Sequence, residues 1–420
     1  MARIIFHIDV NSAFLSWSAV KILRKNPRAL DIRKVPSVVS GDENTRHGVI
    51  TAASIPAKKR GIKTAQALSI AKRICPTLVV VNPDFATYKK YSSEFIAILK
   101  KYSPTVEQVS IDEAFMDMSG TEILYENIEG IDLPFPVNVA QKIKDEIKNT
   151  LGFTVNVGIS SNKLLAKTAS DFTKPDKIHT LWPNEIESKF WPLKIRDLYG
   201  CGKKTTEKLQ EIGVYTIQDA SKIPLERLIS LLGNKHGEYI YNTSKGIDNS
   251  IVDPSFKPAK SYSNAVTMEN DISEENFKDI YPIVQKLSTM VSKRLIQDSV
   301  KIHTITVTVK TNDFTSTSKQ TTIDVETDST KLIYNEAIKL LKAIVYSGGL
   351  FSQGKSIRLI GVGVSNIHKE SAQLNLFRMI EEREKKNESS EIDKIRLLLN
   401  KKFGPGKVKT AKELKTEQEN

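Results

Sequence analysis

The stretch VSIDEAFMDM, residues 109–118, constrains this chain more than any other ten residues. Val109, Ile111, Ala114, Phe115, Met116 and Met118 mark it as a strand bound for an interior, because β-branched and large apolar side chains suit a half-buried pleated surface. Asp112 and Glu113 stand side by side in its middle. Burying one unpaired carboxylate is costly, and burying two adjacent like charges costs more. A compensating cation is required, either a neighbouring Lys or Arg or a metal ion. Successive strand residues also point to opposite faces. Both acids reach one site only at a local twist or hairpin end, expected near 110–114.

A third acid belongs to the same pattern. Asp9 closes the apolar run at 4–10 and is followed by Asn11-Ser12, the order of a strand leading into a helix. Read as three carboxylates without a His or Cys cluster, the set points to a hard cation such as Mg²⁺. Two such ions about 3.5–4 Å apart would serve phosphoryl transfer. The alternative is a hairpin tip with two solvated acids, and spacing alone leaves both open.

Around these acids the chain alternates strands and helices. Helices are expected over 14–24, 55–60, 65–74, 88–102, 139–150 and 162–172. Strands are expected over 35–40, 49–53, 78–81, 106–118 and 154–159. This is α+β material with some adjacent strands pairing directly. From 182 to 245 the pattern is wholly helical in short pieces, and 246–260 reads as a linker rich in Gly, Pro, Asp and Asn. Residues 261–368 return to α+β, with helices at 277–297 and 330–346 and strands at 302–310, 320–325 and 357–364. The remaining residues are highly charged, with one weak amphipathic helix near 392–399.

At 420 residues the chain is long enough for two to four domains. Lys and Arg number 62 against 49 Asp and Glu, a net +13 spread along the chain, which suits a polyanion partner or simply a basic protein. Cys75 and Cys201 can build neither a disulfide framework nor a metal cluster. The first residues lack the apolar run of a signal peptide, and no window reaches the ~18 apolar residues of a membrane span. A cytoplasmic location without membrane contact is expected.

Three ordered motifs carry a resemblance. MARIIFHIDVNSAFLSWSA, VSIDEAFMD and GISSNKLLAKTASDFTKPD resemble the signatures of Y-family DNA polymerases, and the layout over 1–368 is closest to the DinB branch. The resemblance implies an α+β multidomain right hand. A ferredoxin-like palm would span 1–12 and 83–180, with small fingers at 13–82. A helical thumb with a helix–hairpin–helix would occupy 181–248, a linker 249–260, an α+β little finger 261–368 and a charged tail 369–420. It implies translesion synthesis of low fidelity, without proofreading, by nucleotidyl transfer from deoxynucleoside triphosphates onto a primer 3′-hydroxyl on primer–template DNA.

By the same resemblance Asp9, Asp112 and Glu113 would hold two Mg²⁺ ions, with the Val10 carbonyl as a further ligand. Glu113 would also position or deprotonate the primer hydroxyl. Phe14 would be the steric gate that rejects a 2′-hydroxyl; as a residue alone it reads as a core Phe. Lys174, in Thr173-Lys174-Pro175, would reach the triphosphate. Lys163 and Lys167, one turn apart, face either the substrate or solvent. One motif departs from the family, whose members often carry S-Y-E-A-R where this chain has Ser54-Ile55-Pro56-Ala57-Lys58. Ile55 cannot donate a hydrogen bond and Lys58 replaces a bidentate fork with a point charge. Ser54 and Lys58 are nonetheless carried over as nucleotide contacts.

Gly200, Gly202, Lys203 and Thr205 lie in a segment that resembles a helix–hairpin–helix turn gripping duplex backbone through helix N–H groups. Gln373, Leu374, Leu376 and Phe377 are similar to the bacterial sliding-clamp-binding pentapeptide. A monomer is expected. The rival readings are a UmuC-type polymerase that depends on a partner, a non-catalytic DNA- and clamp-binding accessory factor, and another palm-fold enzyme such as a nucleotide cyclase. The last has no need of a helix–hairpin–helix or a clamp peptide.

Overall fold

The computed structural model describes residues 3–42, 46, 48–126, 128, 130–255, 258–346, 348–369 and 388–404. The chain divides into two compact units, Met1–Phe256 and Lys257–Asn420. Among the described residues no helix is long and apolar enough to cross a membrane.

In chain order the N-terminal unit begins with β1 (Ile5–Val10), α1 (Ala13–Lys25), β2 (Ser37–Ser40) and β3 (Ile50–Ala53). Then come α2 (Ile55–Lys59), α3 (Leu68–Ile74), β4 (Val79–Val81), α4 (Phe85–Tyr102), β5 (Val106–Gln108) and β6 (Glu113–Asp117). They are followed by α5 (Val137–Leu151), β7 (Val155–Ser160), α6 (Lys163–Ser170) and β8 (Ile178–Thr180). A five-stranded sheet of order β5-β6-β1-β7-β8 forms its centre, with β1 antiparallel to both β6 and β7.

Strand alternation sorts β1 into two faces. Phe6, Ile8 and Val10 enter the main core, with Tyr88, Phe95 and Leu99 of α4 and Ile143 and Ile147 of α5. Ile5 packs on the other face with Phe115 and Ala166, so His7 and Asp9 share the face covered by α6. Gly158 of β7 lies directly opposite His7. A Cβ there would sit 2.0 Å from the Ala166 carbonyl oxygen and 2.4 Å from the Ser170 nitrogen. Only glycine lets α6 seat this closely on the sheet.

A second sheet, β3-β2-β4, is built around Val38, Ile50, Ala57 and Leu68. α1 serves both layers. Ala13, Trp17 and Val20 enter the main core, while Leu15 and Ala19 pack with Ile32, Val39 and Ala52. Beyond β8, short 3₁₀ and π turns lead to α7 (Lys203–Glu211), α8 (Ile217–Ser221), α9 (Leu225–Leu232) and α10 (Asn234–Ser244). Phe190, Leu209, Ile217, Leu228 and Ile240 form their core.

The C-terminal unit holds β9 (Ser261–Ile272), α11 (Ile280–Gln297), β10 (Val300–Thr311), β11 (Ser316–Thr327), α12 (Thr330–Val345), β12 (Ile357–Lys369) and the helix Glu388–Phe403. Its strands form one antiparallel sheet of order β11-β10-β12-β9. Val284, Leu287 and Val291 of α11 and Ile333, Ala337 and Leu341 of α12 pack on Ile305, Val307, Ile360 and Val362. β9 is absent from the sequence expectation. Only Tyr262, Met268 and Ile272 are buried along its twelve residues, so it offers no clean alternation to read.

Candidate functional site

The three acids are gathered at one end of β1. Residues 109–112 form a bend between β5 and β6, and Asp112 is its last residue. The Val109 and Ser110 N–H groups both donate to the Glu113 carbonyl, at 3.1 and 3.3 Å, closing the bend. This is the hairpin end that two adjacent acids require. Asp9 pairs with Glu113 across the β1–β6 register, and the Val10 N–H donates to the Asp112 carbonyl at 3.0 Å. The Ser110 hydroxyl donates to Asp112 Oδ1 at 2.7 Å, which orients that carboxylate.

Of the compensating cations the sequence leaves open, lysines stand beside Glu113 and Asp9. Lys167 Nζ lies 2.6 Å from Glu113 Oε2, and Lys174 Nζ lies 3.0 Å from Asp9 Oδ1 and 2.8 Å from Asp171. Three half-buried carboxylates cannot share one end of a sheet without local cations, and helix α6 with the loop after it supplies them. Lys163 also turns inward, 2.6 Å from Glu107 and over the Phe115 ring. Neither lysine of α6 is merely a solvated charge.

His7 was not singled out by the sequence reading, and it belongs to the site. Its Nε2 stands 3.3 Å from Glu113 Oε2 and its Nδ1 2.8 Å from the Ser170 hydroxyl. The signal lay in HID, where His7 and Asp9 alternate onto one face. The electrostatics follow from these contacts. The close approach of His7, 3.3 Å away, and Lys167 hold the Glu113 carboxyl down at about 2, against burial. Burial pushes Asp9 up, and Lys174 only partly offsets it. Burial also lowers His7, favouring the neutral ring.

Two asparagines fix the loop that carries Lys174. Asn156 donates to the Ser170 and Thr173 carbonyls at 3.0 and 2.7 Å, and its oxygen accepts from Asn11 at 3.1 Å. Asn11 Oδ1 accepts from the Asp176 N–H at 3.0 Å. Burial pulls the Lys174 ammonium down, but Asp9 and Asp171 more than offset this and hold it above the usual lysine range.

Lys58, near the end of α2, reaches the Ser12 hydroxyl at 3.1 Å. Partial desolvation and the Lys174 charge lower it, while Asp9 opposes them, so Lys58, Lys174 and Asp9 feel one another. Ser54 requires a correction. It is buried, and its hydroxyl donates to the Val35 carbonyl while accepting from Ser37 and Ala57 N–H groups. With donor and both acceptor positions used it caps α2 and orients Lys58 rather than offering a group to a ligand. Phe14, on the first turn of α1, is half-buried and stacks on Tyr88 with ring centroids 4.6 Å apart. The core reading and the gate reading share this one position.

In the helical segment Gly200 has φ +83°, and a Cβ there would lie 2.6 Å from the Tyr239 ring. Gly202 precedes α7 with no side-chain cap, leaving the first N–H groups of that helix to other acceptors. Lys203 is exposed, 3.7 Å from Glu207, and the Thr205 hydroxyl lies 3.1 Å from His236 Nε2. Gln373, Leu374, Leu376 and Phe377 lie outside the described residues.

Asp9, Asp112 and Glu113 present only oxygen donors at one end of β1. Burial raises Asp9, so that carboxylate calls for a cation, and an all-oxygen set fits a hard divalent ion.

Sequence models extend these observations. The impB/mucB/samB family matches residues 8–171, its C-terminal domain 259–376, and the thumb domain of DNA polymerase-iota 196–248. The chain is 39% identical to a DNA polymerase IV of Clostridium acetobutylicum over 96% of each chain. It is 34% identical to one of Clostridium kluyveri over 99% of each. It is 32% identical to DNA polymerase IV 1 of Bacillus subtilis over 99% of this chain and 94% of that one. A solved Y-family DNA polymerase chimera of Dbh and Dpo4 superposes with TM-score 0.74 at 24% identity, covering 87% of this chain and 100% of its own. That likeness establishes the right-hand polymerase fold.

Proposed function

The chain belongs to the impB/mucB/samB family, the Y-family DNA polymerases of the DNA polymerase IV type, and on that premise we propose that Asp9, Asp112 and Glu113 are its catalytic carboxylates. It is a template-directed translesion DNA polymerase, in a family that depends on divalent metal. The observation that carries the site assignment is the register: Asp9 faces Glu113 across β1–β6 while Asp112 is tied to Val10 beside them. The five-stranded sheet with α4, α5 and α6 is the palm. β2 to β4 with α2 and α3 are the fingers, α7 to α10 the thumb and the C-terminal sheet the little finger.

Two Mg²⁺ ions would be held by the three carboxylates and the Val10 carbonyl, and when bound they supply Lewis-acid activation and charge neutralisation for the displacement of pyrophosphate. The chain's own side chains do the rest. Glu113, kept ionised by its contacts with His7 and Lys167, ligates metal and positions the primer hydroxyl or takes its proton. Lys167 and His7 fix its carboxylate. Lys174 and Lys58 flank Asp9, and the incoming triphosphate draws both ammonium groups from their present oxygen partners. Phe14 closes the space beneath the sugar. Ser54 acts only through the α2 cap. Backbone N–H groups around Gly200, Gly202, Lys203 and Thr205 hold duplex phosphates. The pentapeptide 373–377 docks on a sliding clamp, and the enzyme works as a cytoplasmic monomer; both rest on sequence alone.

Primer extension in Mg²⁺ by the wild type and by Asp112→Ala tests this reading. Extension is expected only from the wild type. Loss in neither, or extension by neither on any template, contradicts it. In the same assay Phe14→Ala should raise ribonucleotide insertion roughly 10²-fold relative to deoxynucleotide.

A further inference from the structure

The C-terminal unit carries a second cluster of metal-ligating side chains that the polymerase chemistry does not use. His303, Glu326 and His368 each bring one ligand atom within 4.8 Å of the others. They come from three neighbouring strands, β10, β11 and β12. The β10–β11 register slips at this point. Ile302 pairs with Thr327 and Thr304 with Thr322, so one residue of β10 faces four of β11. His303 is that residue, and Glu326 lies in the looped-out segment opposite it. On the other side of β10, His368 pairs with Lys301. An irregularity of this kind re-aims side chains that a regular ladder would spread along the sheet.

The hydrogen bonding of His303 sets its tautomer. Its Nδ1 lies 3.0 Å from the Ile323 carbonyl oxygen. A carbonyl only accepts, so Nδ1 carries the proton and the neutral ring keeps its lone pair on Nε2. A backbone carbonyl on the second ring nitrogen is the arrangement that fixes a ligating histidine. Nε2 stands 3.5 Å from Glu326 Oε1. Two ligands each about 2.0–2.1 Å from a tetrahedral ion are separated by about 3.3 Å, so this pair already has nearly the required spacing. The His368 ring stands at 83° to the His303 ring with centroids 5.0 Å apart. His303 and Glu326 are half-buried and His368 is exposed, leaving the last ligand free to close the site.

We propose that His303, Glu326 and His368 bind a borderline transition-metal ion of the Zn²⁺ class, separate from the carboxylate site at the end of β1. Two imidazoles and one carboxylate suit Zn²⁺, Co²⁺ or Ni²⁺, whereas Mg²⁺ takes oxygen donors and keeps its waters. Three protein ligands leave a fourth position for water. The ion would tie β11 and β12 to β10 where their regular pairing is interrupted.

Titrating the full chain with Co²⁺ in millimolar Mg²⁺, which keeps the carboxylate site supplied with its own ion, tests the proposal. One Co²⁺ per chain should bind, with the visible absorption of a four-coordinate ion, and Zn²⁺ should displace it. Glu326→Gln and His368→Asn should each weaken binding at least about tenfold. His368→Asn is an exposed change that leaves folding intact, so its effect reports ligation. Binding that both variants leave unchanged, or no Co²⁺ absorption at all in the wild type, overturns the site.

Discussion

In the five-stranded sheet of the N-terminal unit, polar and charged groups face inward, whereas in the four-stranded sheet of the C-terminal unit most of them face water. Asp9, His7 and Glu113 lie under α6, each held by a named group. β11 instead exposes eight of the twelve residues of STSKQTTIDVET, while α11 and α12 cover the apolar face of the sheet. Glycine marks the same contrast. Gly158 of β7 leaves no room for a methyl group against the backbone of α6. A Cβ at Gly361 of β12 would stand 3.2 Å from the Ala265 Cβ and no closer than 3.6 Å to any backbone atom of β9. Inward charges dictate register, partner and close approach residue by residue. Outward polar groups accept many sequences.

The largest test of this contrast pairs Asp112→Asn with Asp324→Asn on the exposed β11. The first should slow single-turnover nucleotide insertion roughly 10³-fold, about 4 kcal/mol of transition-state stabilisation. The second should shift stability by less than about 0.5 kcal/mol and leave insertion within a few-fold. Comparable losses would erase the distinction between the two sheets.

Next in size is Gly158→Ala against Gly361→Ala. The first should cost about 1–3 kcal/mol in urea unfolding of its unit, because α6 must retreat from the sheet. The second should cost less than about 1 kcal/mol. Equal costs would mean that α6 moves freely and that the seating of Lys167 is incidental.

The smallest effect concerns pH. Glu113 is depressed to about 2 by His7 and Lys167, so its ionised form contributes stability in full above the ordinary carboxylate range. That contribution is lost as pH falls through that range toward about 2. Lys167→Met raises the Glu113 carboxyl and shrinks this contribution, and the acid-unfolding midpoint should move up by several tenths of a pH unit. Lys339→Met, which removes a largely exposed ammonium paired with Glu336 one turn away on α12, should leave the midpoint in place. An unmoved midpoint in Lys167→Met would deny the pair its role.

The same contrast governs what could be read from sequence. Asp9, Asp112 and Glu113 were legible because carboxylates inside apolar strands demand explanation, and the bend at 109–112 follows from needing two adjacent acids at one site. Lys167 and Lys174 were visible as residues, but their pairing with the acids was not, since it depends on how closely α6 seats on Gly158. His7 hid inside an apolar strand. Ser54 was read as a ligand contact because its motif position suggested one, whereas its burial and triple hydrogen bonding emerge only from the fold. β9 escaped because its outward residues carry no pattern, and the His303 cluster escaped because a slipped register, invisible in sequence, brings it together.

Acids from β1 and from the β5–β6 bend act as one unit. Single-turnover insertion by Asp9→Asn, Asp112→Asn and the double variant tests it most directly. Residues acting as a unit are strongly non-additive, so the double variant should be no slower than the worse single variant, within about threefold. Losses that multiply across the two positions would mean that Asp9 and Asp112 act independently.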